Sequence, residues 1–92
     1  MKRATAADIE ATLQAALQPE SLRVEDDSAR HAGHAGAREG GHYNVFITSR
    51  RFAGIGLVAR HRLVYDALRL LMPQGIHALA ITARSGDEPS QA

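Results

Sequence analysis

The sequence of 92 residues contains no cysteine and no long apolar run. Without cysteine the chain forms no disulfide, offers no thiolate nucleophile, and supplies no thiolate to an iron–sulfur cluster. No apolar stretch approaches the ~20 residues that span a bilayer, and the basic start at residues 1–3 leads into a mixed polar segment. We therefore expect no membrane span, no secretory signal and a cytoplasmic location.

An excess of one charge is also missing. The 11 Lys and Arg residues nearly balance 10 Asp and Glu residues, which leaves a net charge of +1 and no overall attraction to nucleic acid or membranes. A hydrophobic content of 45% with 23% charged residues is typical of a globular chain. We predict a single domain over residues 1–92, with its core in about 6–84 and a polar tail in 85–92. Five histidines provide imidazoles where thiolates are missing.

The segment after Thr5 is predicted to be an amphipathic helix. Thr5 is a typical N-cap, and Asp8 three positions later completes a capping-box pair. Apolar residues then recur at every fourth position, at Ile9, Leu13 and Leu17. Pro19 is expected to end this helix.

Alternating segments at Ser21–Glu25 and His42–Thr48 predict two strands. In the second strand Tyr43, Val45 and Ile47 share one face, and Phe46 lies opposite. Residues 28–41, with the sequence SARHAGHAGAREGG, contain four Gly and four Ala and no apolar period. They predict a long mobile loop, and loops of this length inside compact domains are often functional.

Residues 57–72 predict a second helix, which Pro73 and Gly75 are expected to terminate. Its apolar stripe contains Leu57, His61, Val64, Leu68 and Leu71. Residues 76–82 predict a third strand with His77, Leu79 and Ile81 on one face. The order α-β-β-α-β predicts an α+β domain with a three-stranded mixed sheet packed against helices, the first two strands antiparallel and the third parallel to a neighbour.

Two groups of residues are candidates for binding. The first is basic, and within residues 50–69 only Asp66 opposes it. Its members are Arg50, Arg51, Arg60, His61, Arg62 and Arg69. Such a face meets phosphates or acidic partners, or it is a solvated helix face with His61 partly in the core. No interleaved aromatic residues support base stacking.

The second group is the histidines His31, His34, His42 and His77, which lack the close paired spacing of a zinc site. The two in the loop could be ligands or solvated, and His77 could be a residue at the edge of the core. The stretch Gly33–Gly36 matches the GxxG pattern of KH domains only weakly, because it lies between two predicted strands. No motif places a hydrolytic nucleophile or a carboxylate pair, so we predict no enzyme.

The order of motifs resembles the BolA family over roughly residues 6–84. The stretches RHRLVY at 60–65 and IHALAI at 76–81 are the most specific, and the loop sequence HAGHAGAR also resembles bacterial members. The remaining matching residues are Pro19, Asp27, Ser28, His31, His42, Tyr43, Phe52 and Gly54. Gly56 departs from the pattern, since many members place Ser or Thr there to cap the helix.

The resemblance implies a class II KH-like fold and a monothiol glutaredoxin as partner. In that family the pair shares a 2Fe–2S cluster in cluster trafficking or iron regulation, with thiolates from glutaredoxin and bound glutathione. The resemblance assigns one nitrogen ligand to His77 and a second to His31, with His34 as the alternative. It also allows another function, a transcriptional regulator that binds DNA weakly through Arg50, Arg51, Arg60, His61 and Arg62. The apo chain would be a monomer or a weak homodimer.

Overall fold

The computed structural model describes residues 3–28 and 41–86. The elements are α1 (Ala6–Leu17), β1 (Ser21–Asp26), β2 (Gly41–Thr48), α2 (Leu57–Ala67) and β3 (Ile76–Arg84), with a 3-10 turn at Arg50–Phe52. This order and the α+β class confirm the prediction, and they are compatible with a KH-like arrangement. Residues 29–40 of the predicted mobile loop and most of the polar tail lie outside the described residues. The loop prediction is wrong at its last residue, because Gly41 is buried and already belongs to β2. Ser85 of the tail is described and is buried.

Helix α1 begins with the predicted capping box. The Asp8 backbone N–H donates to Thr5 Oγ1 at 3.2 Å, and the Thr5 N–H donates to Asp8 Oδ2 at 2.9 Å. The helix ends at Gln18, which adopts the left-handed conformation with φ of 46° just before Pro19. Its apolar residues Ile9, Leu13 and Leu17 are all buried, so the fourfold spacing does mark the core-facing stripe.

The sheet has the strand order β1-β2-β3, with β1 antiparallel and β3 parallel to the central strand. One sheet face carries Tyr43, Val45 and Ile47, which form the core together with apolar residues of α1 and α2. Phe46 lies on the opposite face, as predicted. Since both helices pack on one side, no other element among the described residues covers the second face, which we call the open face.

Helix α2 ends at Ala67, five residues earlier than predicted. Leu68 is its C-cap, and its N–H is shared between the carbonyls of Val64 and Tyr65. The Leu71 N–H then donates to Leu68 O at 2.8 Å, so a series of turns leads to β3. The predicted stripe is also wrong at its first member, because Leu57 at the helix N-terminus is 66% exposed.

A β-bulge at the start of β3 corrects the predicted placement of His77. Gly41 of β2 pairs with Ile76, whereas the next residue, His42, pairs with Ala78, so His77 is the extra residue. Ile76 therefore occupies the core position and is only 7% exposed, while His77 is exposed. The predicted face shared by His77 and Leu79 is wrong, because a bulge shifts the twofold alternation by one residue.

Candidate metal site and basic surface

The bulge brings His77 against His42 at the edge of the sheet where β2 and β3 begin. The two ring centroids are 5.1 Å apart, and the ring planes are tilted by 52°. His77 is exposed, whereas His42 is half-buried and its Nε2 atom is shielded from solvent. The contact between His42 and His77 was not predicted from the sequence. It could have been inferred, because each histidine lies at the start of a predicted strand and adjacent parallel strands start at the same edge of a sheet.

The backbone of His42 is fixed by residues that follow β1. The His42 N–H donates to Ser28 Oγ at 3.0 Å, and the Asp27 N–H donates to His42 O at 2.7 Å. Ser28 in turn donates its backbone N–H to Asp26 Oδ1 at 2.9 Å. Hydrogen bonds from the Ser28 side chain and backbone lower the pKa of the Asp26 carboxyl below its usual 3.8. This network ties residue 28 to the strand that carries His42.

His31 and His34 lie outside the described residues, so their placement relative to His77 stays a prediction. Chain length nevertheless sets a limit. His31 follows Ser28 by three positions, and three extended residues span at most about 11 Å. Ser28 is the last described residue before that segment, and it is bonded to the backbone of His42.

The donor chemistry at this edge is imidazole nitrogen without thiolate. Within residues 3–28 and 41–86, no group of three or more His, Asp or Glu side chains could hold a metal ion. The pair of His42 and His77 therefore provides at most part of a ligand set. Imidazole is a suitable ligand for iron, so these residues fit a metal or cluster whose other ligands come from another molecule.

The basic residues differ in their exposure. Arg50 and Arg51 are exposed on the 3-10 turn, Arg62 is exposed on α2, and His61 is half-buried. Arg60 differs, since its guanidinium is buried, with Nε donating to Ile55 O at 2.8 Å and Nη1 donating to Ala83 O at 3.1 Å. It ties the segment before α2 to the end of β3, and it is not available at the surface with the other cations.

The structure is thus a small α+β domain with two histidines in contact at one edge of its sheet. A family model described as BolA-like protein matches residues 13–88, and the chain belongs to this family. The family resemblance drawn from the sequence is therefore confirmed. None of the helices in the described ranges is long and apolar enough to cross a membrane.

Similar proteins include "Protein BOLA1, chloroplastic" from Arabidopsis thaliana, with 46% identity over 80 residues that cover 83% of this chain and 50% of that protein. The chain thus spans about half the length of that relative. "DNA-binding transcriptional regulator BolA" from Escherichia coli is 41% identical over 73 residues, covering 79% of this chain and 68% of that protein. The solved BolA domain of SufE1 from Arabidopsis thaliana has a TM-score of 0.80 with 44% identity, covering 91% of this chain and 94% of that one.

Proposed function

We propose that this chain is an iron–sulfur adaptor, without catalytic activity of its own, that shares a 2Fe–2S cluster with a monothiol glutaredoxin. The observation that carries the proposal is the exposed His77 on a bulge, in ring contact with His42. The complete lack of cysteine agrees with it, since the partner and its glutathione would bring the thiolates. A cytoplasmic location stays a prediction, because the chloroplastic label above belongs to the Arabidopsis relative.

In this proposal His77 acts as a nitrogen donor from the start of β3. His31 is the second donor, with His34 as the alternative, and their segment follows Ser28, which is bonded to the backbone of His42. An imidazole binds metal only as the neutral ring, so ligation should weaken in acid. When bound, the cluster supplies redox-active iron, and a histidine ligand in place of a thiolate raises its potential.

The proposal is tested by co-expressing the chain with a monothiol glutaredoxin and recording the visible absorbance of the purified complex. We expect a coloured complex whose spectrum differs from that of the glutaredoxin alone. His31→Ala should change it less than His31→Ala with His34→Ala together, because either loop histidine can replace the other. A colourless complex, or a spectrum identical to that of the all-thiolate glutaredoxin, would rule the adaptor out.

A second candidate function is nucleic-acid binding. One relative is named a DNA-binding transcriptional regulator, and Arg50, Arg51 and Arg62 are exposed here. With a net charge of only +1, we expect weak binding with a steep salt dependence, from phosphate contacts. Sequence-specific binding that survives about 200 mM salt and is lost in Arg62→Ala would place this function first.

A further inference from the structure

The open face of the sheet carries an aromatic and cationic depression at the end away from the histidines. The strand register aligns side chains across the sheet in two neighbouring rows. The first row contains Arg23, Phe46 and Thr82, and the second contains Ser21, Thr48 and Arg84. All six residues line the depression, and neither row contains a carboxylate.

Phe46 is the centre of this depression and presents a half-exposed ring on the solvent side of the sheet. The guanidinium carbon of Arg23 lies 4.4 Å from the ring centroid, in a cation–π contact. The two planar groups offer π-faces of the kind on which unpaired bases stack. The sequence alone gave no sign of this site, because Arg23 and Phe46 are 23 positions apart and meet only through the strand register.

The chemistry of the two rows matches a nucleotide better than a protein surface. Arg23 and Arg84 lie in neighbouring rows on the two outer strands, which are about 10 Å apart across the sheet, where each can meet a phosphate. Thr48 on the central strand and Thr82 beside Arg84 on β3 add hydroxyls to the lining, which suit a sugar or a base edge. A shallow, open sheet face can accept a splayed single strand, whereas a duplex keeps its bases stacked inside.

We propose that this depression binds single-stranded nucleic acid by stacking a base on Phe46 and Arg23. The proposed ligand is independent of the iron–sulfur cluster. Phe46 is four residues from His42 along β2, or about 13 Å, so the two sites occupy opposite ends of one face. The site is also distinct from the exposed cation of α2, Arg62, since the helices pack on the other face of the sheet.

Glu25 opposes binding in this arrangement. Its Oε2 atom lies 3.3 Å from Arg23 Nε, and both side chains are largely exposed, at 47% and 65%. The carboxylate partly neutralises the guanidinium and repels a phosphate brought close to it. Glu25→Gln removes that charge without shortening the side chain, so the proposal predicts tighter binding in this variant.

The test is a fluorescence anisotropy titration of the purified chain with a labelled oligo(dT) of about twelve nucleotides at about 50 mM salt. Phe46→Leu keeps an apolar side chain but removes the ring, and should weaken binding about tenfold. Phe46→Tyr should retain the affinity, and Glu25→Gln should increase it. Arg84→Gln should lower the slope of log affinity against log salt by about one. Tyr65→Leu, which removes an exposed ring on α2, is the matched control and should change nothing.

Several outcomes would overturn the proposal. These are no binding of the strand, equal affinity for a duplex, and a loss in Tyr65→Leu as large as that in folded Phe46→Leu. Competition by free thymidine monophosphate at the affinity of the strand would show a mononucleotide site instead. If Phe46→Leu does not fold, photocrosslinking of a bromouridine strand to the unmodified chain decides the matter. Adducts in the peptides containing Arg23 or Phe46 support the site, and adducts confined to α2 contradict it.

Discussion

At the scale of single residues, Ser28 has more contacts than its small side chain suggests. Its Oγ accepts the His42 N–H and also hydrogen-bonds the Asp26 carboxylate, while its own N–H donates to that carboxylate. The residue therefore joins the end of β1 to the start of β2 across the segment whose histidines we propose as ligands. Its loss should affect both folding and the position of that segment.

Ser28→Ala should lower the free energy of unfolding at neutral pH by about 1 kcal/mol, the usual worth of a hydrogen bond. The folded state lowers the pKa of Asp26, so this carboxylate stabilises the fold above pH 3.8 and the gain is lost as the pH falls through the folded value. The difference in unfolding free energy between Ser28→Ala and the unmodified chain should therefore shrink in acid. Urea denaturation at several pH values measures it.

Ser21→Ala is the matched control, since Ser21 is exposed at the start of β1. It should change the unfolding free energy by less than about 0.5 kcal/mol. A carboxyl titration followed by NMR gives a direct check on the cause. If the pKa of Asp26 in Ser28→Ala stays as low as in the unmodified chain, the Ser28 hydroxyl is not what lowers it.

Single residues also show where prediction from sequence ends. Thr5 and Asp8 could be assigned to a capping box because their contact is local, three positions apart. The contact between His42 and His77 could not be predicted in this way, because it joins residues 35 positions apart and depends on a bulge. Arg60 was misjudged for a related reason. An arginine followed directly by two other basic residues suggests a surface, yet the carbonyls that it binds belong to other segments.

At the scale of elements, short-range patterns could again be predicted from the sequence, whereas features that depend on distant segments could not. The alternation of β2 and the fourfold spacing of α1 are short-range patterns, and both were predicted with their buried faces. The end of α2 was predicted wrongly, because apolar residues continue at helical spacing through Leu71 although the helix already ends at its C-cap, Leu68. The bulge in β3 depends on pairing with β2, which is a property of the sheet rather than of either strand.

The contact between α2 and β3 predicts a structural role for Arg60. Replacement by methionine keeps most of the side-chain volume but leaves the Ile55 and Ala83 carbonyls without their charged donor. We expect Arg60→Met to lower the unfolding free energy by about 2 kcal/mol in urea denaturation. Arg62→Met, exposed on the same helix, should stay within about 0.5 kcal/mol of the unmodified chain. Equal effects of the two would mean that the buried hydrogen bonds contribute little.

At the scale of the whole molecule, the fold has one face covered by both helices and one open face. The proposed ligand His77 lies at one end of the open face, with His42 beside it, and the aromatic depression lies at the other. As far as the described residues show, both proposed sites are open to solvent. Both suit a partner that brings its own surface.

The lack of cysteine leads to a prediction for the isolated chain. Expressed and purified without a partner, it should be colourless and bind no cluster tightly, because no thiolate is available. Iron and acid-labile sulfide assays on the purified chain provide the measurement. Stoichiometric iron and sulfide in the single chain would contradict the proposed shared ligation.

The central claim is that His77 is a cluster ligand, and visible circular dichroism of the complex with a monothiol glutaredoxin tests it most directly. His77 is exposed, so His77→Ala should leave the domain folded, with a stability change of at most about 1 kcal/mol. His61→Ala on α2 is the matched control and should leave the visible spectrum unchanged. The account predicts that His77→Ala shifts the spectrum toward that of the all-thiolate glutaredoxin dimer. An unchanged visible spectrum in a folded His77→Ala complex would show that His77 is not a ligand.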